Sequence, residues 1–373
     1  MTKKEGSPTV IVPQPSYVVY RWGDMALFGL GKKGKTVGLD IGSGMLKLAV
    51  VEHGGGEPEL SKIAVAPVLA DAIVEGEVMD PGVVADAIKA VLDTAGVKQK
   101  RVVVAVGGRD VIVKKIQIDR MNASEAYDVV RWEAQQHVPF DIEGVELDFQ
   151  VLDPDGDGVQ MDVLLVAAKR ELVQNKIALL AEAGLQASVV DVDAFALHNA
   201  FEVNYPDAMQ GVAALINIGN DVTNVNLLQD GIPLLARDMS LGTKKIREDL
   251  QREQGVSADA ADKLIQGLER TPEMDAFVQS RAEEIAVGVE RATAFLQSGS
   301  RDAGSVQKVY CCGGGARIPG LITTLEERLR VSVEAANPMQ RLRVADGVFD
   351  TLNVDEVGSL LMLSVGLALR RPN

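Results

Sequence analysis

An internal repeat constrains the fold of this chain more than any other sequence feature. Residues 39–51, LDIGSGMLKLAVV, align without a gap with residues 216–228, INIGNDVTNVNLL, at an offset of 177 residues. Each copy is an apolar strand, a polar residue, a glycine, a short polar turn and a second apolar strand. Two such hairpins predict two related lobes, and a length of 373 residues suits two lobes, because a single core stops growing near ~250–300 residues.

Strand and helix patterns alternate along the chain from about residue 35, which predicts an α/β fold. Apolar residues recur at helical spacing between plausible caps over 80–96, 122–138, 168–183 and 275–297. Short runs rich in Val, Ile and Leu predict strands over 37–42, 47–52, 102–106, 111–118, 162–167, 213–218, 223–228, 232–238 and 308–312.

The residue types of the two hairpins suit phosphate binding. Gly42 and Gly219 lack a Cβ, so that backbone N–H groups can approach a polyphosphate closely. Ser43 and Thr223 can add hydroxyl donors. Asp40 suits a magnesium ligand that acts through water, because Mg²⁺ keeps several waters and takes few protein carboxylates.

A third glycine cluster follows the strand predicted over 308–312. Gly313, Gly314 and Gly315 connect this strand to a helix that carries Leu321, Leu325 and Leu329. Such a junction presents a flat backbone surface on which an adenosine can lie. One hairpin of this kind is more often a plain turn, but three segments in this order predict a nucleotide site.

The charge and composition exclude several classes of partner. A formal charge of −15 opposes binding to nucleic acid and to anionic lipid. We find no uninterrupted apolar run long enough for a membrane span, and Cys311 and Cys312 are adjacent, which fits a reducing compartment. A cytoplasmic protein is expected, with a flexible N-terminal extension over residues 1–35.

Five segments together resemble the nucleotide-binding signature of the actin-like ATPase superfamily, which also includes Hsp70 and sugar kinases. They are VGLDIGSGMLKLAVVE (37–52), VVDVDAFAL (189–197), ALINIGNDVTNVNLL (214–228), VYCCGGGARIPGL (309–321) and VGLALRR (365–371). This resemblance implies a two-lobed fold of duplicated ribonuclease H-like lobes and covers about residues 37–373.

Three segments are more narrowly similar to the PilM family of type IV pilus assembly proteins, which is related to the division protein FtsA. They are DIGSGMLKLAVVE, RWEAQQHVPFDIEGVELDFQVLD (131–153) and NPMQRL (337–342). The resemblance implies a 1C-type subdomain insertion. The implied division is 36–100 (1A, first part), 101–186 (1C), 187–210 (1A, second part), 211–240 (2A), 241–305 (2B), 306–343 (2A) and 344–373 (return to 1A).

The resemblance also implies ATP and Mg²⁺ as ligands and assigns their contacts. The implied contacts are Asp40, Gly42, Ser43, Lys47, Asn217, Gly219, Asn220, Thr223, Gly242, Lys245, Gly313, Gly314 and Gly315, with Asp40 holding Mg²⁺ through water. Two positions depart from the superfamily pattern. Asn217 stands where a carboxylate is usual and cannot act as a base, and Ile265 stands where the adenosine helix usually has lysine. We therefore expect at most a slow ATPase.

The family resemblance implies a function in type IV pilus assembly and twitching motility. The implied role is a cytoplasmic ATP-binding subunit that docks the N-terminal tail of a PilN-like inner-membrane protein between the first lobe and subdomain 1C. Other pilus subunits and self-association are further possibilities. A small-molecule kinase of the same superfamily and an FtsA-like division protein remain as alternatives.

Several other residue patterns favour structural interpretations. Asp153, Asp155 and Asp157 resemble the start of a calcium loop, but Leu164 occupies its twelfth position, so a hairpin turn is expected. The three histidines share no metal-ligand spacing, and the two cysteines lie in a predicted buried strand. Trp132 and the Arg131–Glu133 pair either stabilise the helix over 122–138 or form part of a partner groove.

Overall fold

The computed structural model describes residues 34–54, 56–153, 156–299 and 304–370. The predicted N-terminal extension lies almost wholly outside the described residues. The strands are β1 (Gly34–Ile41), β2 (Met45–His53), β3 (Glu59–Pro67), β4 (Ile73–Val74), β5 (Glu77–Val78), β6 (Arg101–Val106), β7 (Val111–Asp119), β8 (Val145–Val151), β9 (Gln160–Lys169), β10 (Gln186–Val192), β11 (Val212–Ile218), β12 (Thr223–Gln229), β13 (Ile232–Met239), β14 (Lys308–Cys312), β15 (Ser332–Ala335) and β16 (Arg343–Val344). The helices are α1 (Pro81–Thr94), α2 (Ala123–His137), α3 (Arg170–Glu182), α4 (Asp193–Asn204), α5 (Thr243–Gln254), α6 (Ala258–Ile265), α7 (Pro272–Gly299), α8 (Leu321–Leu329), α9 (Val354–Val357) and α10 (Met362–Leu369).

The predicted helices and strands are confirmed, and local caps explain their ends. Asp80 caps α1 by accepting a hydrogen bond from the Val83 N–H, and Pro81 occupies the first helical position. Asn122 caps α2 in the same way through the Glu125 N–H. Gly184, with φ of 74°, follows α3, where a left-handed residue ends the helix.

Two sheets form the two lobes. The first sheet has the order β10-β6-β1-β2-β3-β16, and the second has the order β15-β14-β11-β12-β13-β7-β9-β8. Each repeated hairpin supplies a central antiparallel pair, β1 with β2 and β11 with β12. A parallel strand flanks each pair, β6 beside β1 and β14 beside β11. The sequence repeat therefore corresponds to a structural repeat.

Helices cover the apolar faces of both sheets and so form the layers of the molecule. Helices α1 and α3 cover the outer face of the first sheet, and α5 to α8 cover the outer face of the second. Helices α4 and α10 share one buried cluster with residues of both sheets, including Val103 of β6 and Leu215 of β11. These two helices therefore lie between the lobes and form the floor of the cleft.

Two glycines allow α10 to pack closely on its neighbours, Gly366 against α4 and Gly38 against β1. A Cβ on Gly366 of α10 would lie 1.7 Å from the carbonyl oxygen of Ala196 in α4. A Cβ on Gly38 of β1 would lie 2.3 Å from the carbonyl oxygen of Ser364. Real Cβ atoms do not approach backbone so closely, so the packing of α10 on α4 and on β1 depends on these positions having no side chain.

The insertion between β6 and α3 consists of β7, α2, β8 and β9. Its own core contains Val130 and Ala134 of α2 packed on Val163 and Leu165 of β9. Strand β7 joins the insertion to the second sheet by pairing Lys114 with Leu235 of β13. Strand β6 lies inside the predicted 101–186 subdomain but pairs with β10 and β1 in the first sheet, so on the pairing pattern the insertion begins after β6.

The NPMQRL segment over 337–342 closes the C-terminal end of α4. The buried Asn204 side chain accepts hydrogen bonds from the backbone N–H groups of Arg341, at 2.9 Å, and Leu342, at 3.1 Å. The Tyr205 hydroxyl accepts another from the Asn337 N–H at 2.8 Å. This signature therefore has a structural role, because it satisfies buried polar groups between the lobes.

Candidate nucleotide cleft and partner groove

The turns of the two repeated hairpins meet face to face above α4 and α10. Asn220 Nδ2 in the second hairpin lies 3.4 Å from Ser43 Oγ in the first, and the two residues are 177 positions apart, which is the offset of the repeat. A Cβ on Gly44 would lie 3.0 Å from the Asn220 side chain. The fold thus brings together the two predicted phosphate turns.

The first hairpin carries an internal ion pair. Lys47 Nζ lies 2.8 Å from Asp40 Oδ2, and both side chains are largely buried. Gly42 lies beside this pair, since a Cβ there would be 3.2 Å from Lys47 Nζ. A lysine next to a carboxylate leaves the pair close to neutral while supplying donors that a phosphate oxygen can use.

The second hairpin is bonded tightly to the start of α5. The Thr243 N–H donates to Gly219 O, the Lys244 N–H donates to Asn220 O, and a Cβ on Gly242 would lie 2.1 Å from Asn220 O. Gly242 is therefore needed for packing. Lys245 reaches Glu284 of α7 at 3.6 Å.

Thr223 takes part in this packing as well. The sequence assigned it a phosphate contact, but its side chain is fully buried and its hydroxyl donates to Leu241 O at 2.6 Å. In this conformation that hydroxyl has no proton to offer a phosphate.

The third glycine segment packs against the end of β11. Gly313 has φ of 81°, and a Cβ there would lie 2.5 Å from both Asn217 Oδ1 and Ile218 O. A Cβ on Gly315 would lie 2.1 Å from the Ile218 side chain, whereas Gly314 has more space and faces Thr243. These glycines bring β14 and the following turn close to the second hairpin, as an adenosine platform requires.

Asn217 is the centre of a chain of amide hydrogen bonds. Its Nδ2 donates to Asn224 Oδ1 at 3.1 Å, and Asn224 Nδ2 donates in turn to Asp238. Its Oδ1 lies 3.7 Å from Cys312 Sγ. A carboxylate at position 217 would face the Asn224 oxygen without a proton between them, so this network is built for an amide.

The cleft contains a second carboxylate that the sequence analysis did not select. Asp193 is the first residue of α4, and a Cβ on Gly107 would lie 2.1 Å from its Oδ2. Burial, followed by the nearby negative charge of Asp40, raises the pKa of Asp193 to about 7, while the cation of Lys176 lowers it. The only sequence signal was an acidic residue at a strand-to-helix junction in the segment 189–197.

Lys176 and Asp238 complete this buried charge cluster. The Lys176 amino group is buried, and this burial lowers its pKa, with Asp193 and Asp40 acting in the opposite direction. Burial likewise raises the pKa of Asp238, which accepts hydrogen bonds from Asn224 and from the Gly108 N–H. Perturbed titratable groups that converge in a cleft are typical of functional sites.

A second candidate site lies where the insertion meets the first lobe. Strand β8 ends the second sheet, and β10 ends the first. Asp148 of β8 pairs with Val166 of β9, whose side chain lies in the core of the first lobe, so Asp148 faces that lobe. Arg370, after α10, lies 3.7 Å from Asp191 of β10.

Polar groups in this groove are incompletely satisfied. Asp191 Oδ2 and Gln150 Oε1 are buried and have no hydrogen-bond partner among the described residues. Burial raises the pKa of Asp148 to about 7, opposed by the Phe149 N–H and by Arg370. Asp191 Oδ2 has only the ion pair with Arg370, and Gln150 Oε1 has no hydrogen bond among the described residues. Such atoms are uncommon in folded proteins, and here they lie beside the outer edges of β8 and β10, with which no other described strand pairs, so they indicate a place where another chain can bind.

The sequence matches the family described as type IV pilus assembly protein PilM over residues 38–372. It is also 30% identical to a chain of a solved "PilM-PilN type IV pilus biogenesis complex", with a TM-score of 0.79, covering 91% of this chain and 98% of that one. The chain belongs to the PilM family. Its fold is therefore the two-lobed actin-like ATPase fold with an insertion, and the kinase and FtsA-like alternatives give way to this assignment.

A more distant structure has the same fold. The ethanolamine utilization protein EutJ from Carboxydothermus hydrogenoformans is 16% identical to this PilM-family chain, with a TM-score of 0.53, covering 90% of this chain and 89% of that one. At this identity the likeness concerns the fold alone.

The acidic hairpin turn, the two cysteines and Trp132 lie in three different parts of the fold. Asp153 and Asp157 lie in the turn between β8 and β9, which form the expected antiparallel hairpin, while Asp155 lies outside the described residues. Cys311 and Cys312 are buried in β14, and burial raises the pKa of the Cys311 thiol to about 12. Trp132 is 60% exposed on α2.

A cleft of about 640 Å³ lies between β13 and α7, and its lining includes Val225 of the second hairpin and Asp238 of the buried charge cluster. Its charged lining includes Arg237, Arg291 and Glu284. No helix among the described residues is long and apolar enough to cross a bilayer.

Proposed function

We propose that this PilM-family chain is a cytoplasmic ATP-binding scaffold of the type IV pilus assembly platform, held at the inner membrane by the tail of a PilN-like protein. The observation that carries the proposal is the likeness to a chain of a solved PilM–PilN complex over nearly the whole of both chains, together with the PilM family match over residues 38–372. The nucleotide is a ligand that shapes the partner surface, and its turnover is slow at most.

The residues of the cleft fit ATP. The first hairpin offers Gly42, Ser43 and Lys47 to the phosphates, and the second offers Asn220 from the opposite lobe. Gly314 and Gly315 begin a short helical turn, and the first N–H groups of such a turn have no intrahelical partner. The N–H groups of Gly219 and Gly313 already donate to Val222 O and Ser359 O, so these two glycines act through close packing instead.

The carboxylates fit a magnesium ion that is held mainly by phosphates and water. No group of three or more possible ligand side chains at metal-binding distances occurs within the described residues. Asp40 lies just before the turn of the first hairpin and is the carboxylate that we assign to the ion, and its partner Lys47 can move to a phosphate oxygen once the ion is present. When bound, the ion would neutralise phosphate charge close to Asp40 and Asp193.

Asp193 supplies the acid–base group that Asn217 cannot. A carboxyl group with a pKa near 7 exchanges protons readily at neutral pH, so it can accept one from a water molecule at the phosphate end of the cleft. It is held by the N-terminus of α4 and by its contact with Gly107. Slow hydrolysis is therefore compatible with an amide at position 217.

Asp40→Ala is expected to weaken ATP binding about tenfold or more when Mg²⁺ is present, because the ion loses its water-mediated carboxylate. Without Mg²⁺ the variant should bind ATP as well as the unchanged protein or better, since a negative charge beside the phosphates is gone. Titration with a fluorescent ATP analogue measures both values.

Asp86→Ala is the matched control for this experiment. It removes the carboxylate of a similar pair, Asp86 with Lys89 at 2.9 Å, on the exposed surface of α1. The control should bind ATP like the unchanged protein. Equal affinity of Asp40→Ala and the control for ATP with Mg²⁺ would remove Asp40 from the ion site.

The groove between β8 and the first lobe fits an extended tail. Each flanking strand has one edge that pairs with no other described strand, so a tail can add backbone hydrogen bonds to either one. Asp148 and Asp191 are acceptors for its donors, and Gln150 can satisfy one more. The groove joins the insertion to the first lobe, so its width can change when the lobes move. A bound nucleotide then changes the affinity for the tail only if the nucleotide itself binds the open and closed forms of the protein with different affinities.

Asp148→Lys is expected to weaken binding of a PilN-like tail peptide about tenfold or more, because it removes an acceptor from the groove and places there a cation that repels Arg370. Fluorescence anisotropy of the labelled peptide measures the affinity. Asp128→Lys, on the exposed side of α2, is the control. Thermal unfolding of both variants checks that they fold, and unchanged peptide affinity of a folded Asp148→Lys would place the tail elsewhere.

A further inference from the structure

A short hairpin of the first lobe reaches across the mouth of the cleft. It comprises β4, β5 and the residues around them, from 71 to 79, and we call it the strap. Asp71 Oδ1 lies 2.8 Å from Lys244 Nζ of the second lobe. The Glu75 N–H donates to Asp221 Oδ2 at 2.8 Å. The strap therefore connects the two lobes at two points.

Both points of attachment belong to one hydrogen-bonded unit of the second lobe, the second phosphate turn with the start of α5. Asp221 lies in the turn of the second phosphate hairpin, and Asn220 beside it touches Ser43. Lys244 is bonded to the same turn through its own N–H and Asn220 O at 2.9 Å. Any movement of this turn, such as one that makes room for a polyphosphate, therefore moves both anchors of the strap.

The backbone of the strap is strained at the residues that make the contacts. Asp71 has φ of 62° and Glu75 has φ of 49°, and only Asp230 and Arg330 are comparable among the non-glycine residues that the structure describes. Such conformations persist where the surroundings impose them, and they are concentrated at clamps and switch regions. Two strained residues at two interlobe contacts therefore indicate a segment that relaxes when the contacts break.

The contacts are also weak enough to break easily. The hydrogen bond from Lys244 lowers the pKa of Asp71, and the same bond raises the pKa of Lys244. The Asp71 side chain is 72% exposed, however, and exposed pairs add little stability. Arg109 approaches Glu75 at 3.6 Å and ties the strap to the loop that enters the insertion.

We propose that the strap is a latch that holds the lobes closed over the nucleotide cleft and sets the rate at which a nucleotide enters and leaves. This inference rests on the proposed nucleotide binding. The strap acts on the rates of both nucleotide binding and nucleotide release, so breaking it should change these two rates more than it changes the nucleotide affinity.

Asp71→Lys is expected to speed dissociation of a fluorescent ATP analogue about 2- to 10-fold, as the loss and reversal of an exposed ion pair imply. Stopped-flow displacement measures this rate. The charge-swapped double variant Asp71→Lys/Lys244→Asp should return it towards the original value. Asp86→Lys, which disturbs an exposed pair within the first lobe alone, should leave the rate unchanged.

Amide hydrogen exchange in the nucleotide-free protein is an independent test of whether the strap joins the lobes. Amides of residues 71–79 and 219–222 should exchange faster in Asp71→Lys and return towards the original rates in the double variant. The latch is refuted if Asp71→Lys leaves exchange in both segments unchanged, or if the double variant fails to reverse its effect. If the unchanged protein binds no nucleotide, the proposed function fails, and hydrogen exchange still decides whether the strap joins the lobes.

Discussion

Gly366→Ala should lower the free energy of unfolding by about 3 kcal/mol or more, the largest stability effect that we expect from one methyl group in this chain. The added Cβ would lie 1.7 Å from Ala196 O, and neither backbone can give way without separating α4 from α10. The two helices share one buried cluster with residues of both sheets, so the strain spreads through the centre of the molecule. Urea unfolding followed by circular dichroism measures the change.

Gly144→Ala is the control for Gly366→Ala. Gly144 ends a short helical turn in the insertion, and a Cβ there would meet no atom within 4 Å. We expect a change within about 0.5 kcal/mol. Equal stability of the two variants would mean that α4 and α10 do not cross at Gly366, and the floor of the cleft would need another description.

Asp193→Asn should stabilise the nucleotide-free protein at pH 8 and have much less effect at pH 5. The folded protein holds the carboxyl proton up to a pKa of about 7, against an ordinary value of 3.8, because of burial first and the charge of Asp40 second. The folded state therefore binds more protons than the unfolded state between these values. Stability from this group is complete below about pH 4 and falls as the pH rises through 7.

The expected gain at pH 8 is as much as about 4 kcal/mol, since each pKa unit corresponds to about 1.4 kcal/mol. Asparagine has no charge to bury, so the variant avoids this loss. Unfolding curves at pH 5 and pH 8 measure the difference, with the exposed Asp128→Asn as a control that should differ little at either pH. A gain that is equal at both pH values would show that Asp193 is not the titrating group.

The same change should reduce any ATP turnover, because the amide cannot accept a proton. A residue that costs stability while serving chemistry is expected at a functional site. If Asp193→Asn hydrolyses ATP as fast as the unchanged protein, Asp193 is a structural acid only.

The sequence was sufficient to predict what depends on local patterns. Backbone pairing is local in a hairpin, so the repeat around Gly42 and Gly219 predicted the central strands of both sheets. Caps such as Asp80 and Asn122 depend on neighbouring residues and were also predictable. The family assignment followed from the order of short segments.

Residues that depend on tertiary contacts were not predictable in the same way. Asp193 becomes part of the cleft only because α4 begins beside Gly107, and Lys176 reaches it from a helix on the other side of the first sheet. Conversely, Gly242 and Thr223 fit a nucleotide motif but are engaged in packing and in an internal hydrogen bond. A motif shows which residue types are present, whereas their contacts decide which of them face a ligand.

The pairing of β7 with β13 also protects the protein from faulty association. Without the insertion, β13 would be the last strand of the second sheet, and its unpaired backbone groups could bind a strand of another molecule. Strand β7 pairs with that edge, and the terminal strand of the sheet is β8 instead. Strand β8 carries Glu146 and Asp148. Acidic side chains on a terminal strand discourage indiscriminate strand addition. The segment that we propose as a docking place for one partner thus also limits aggregation of the chain with copies of itself.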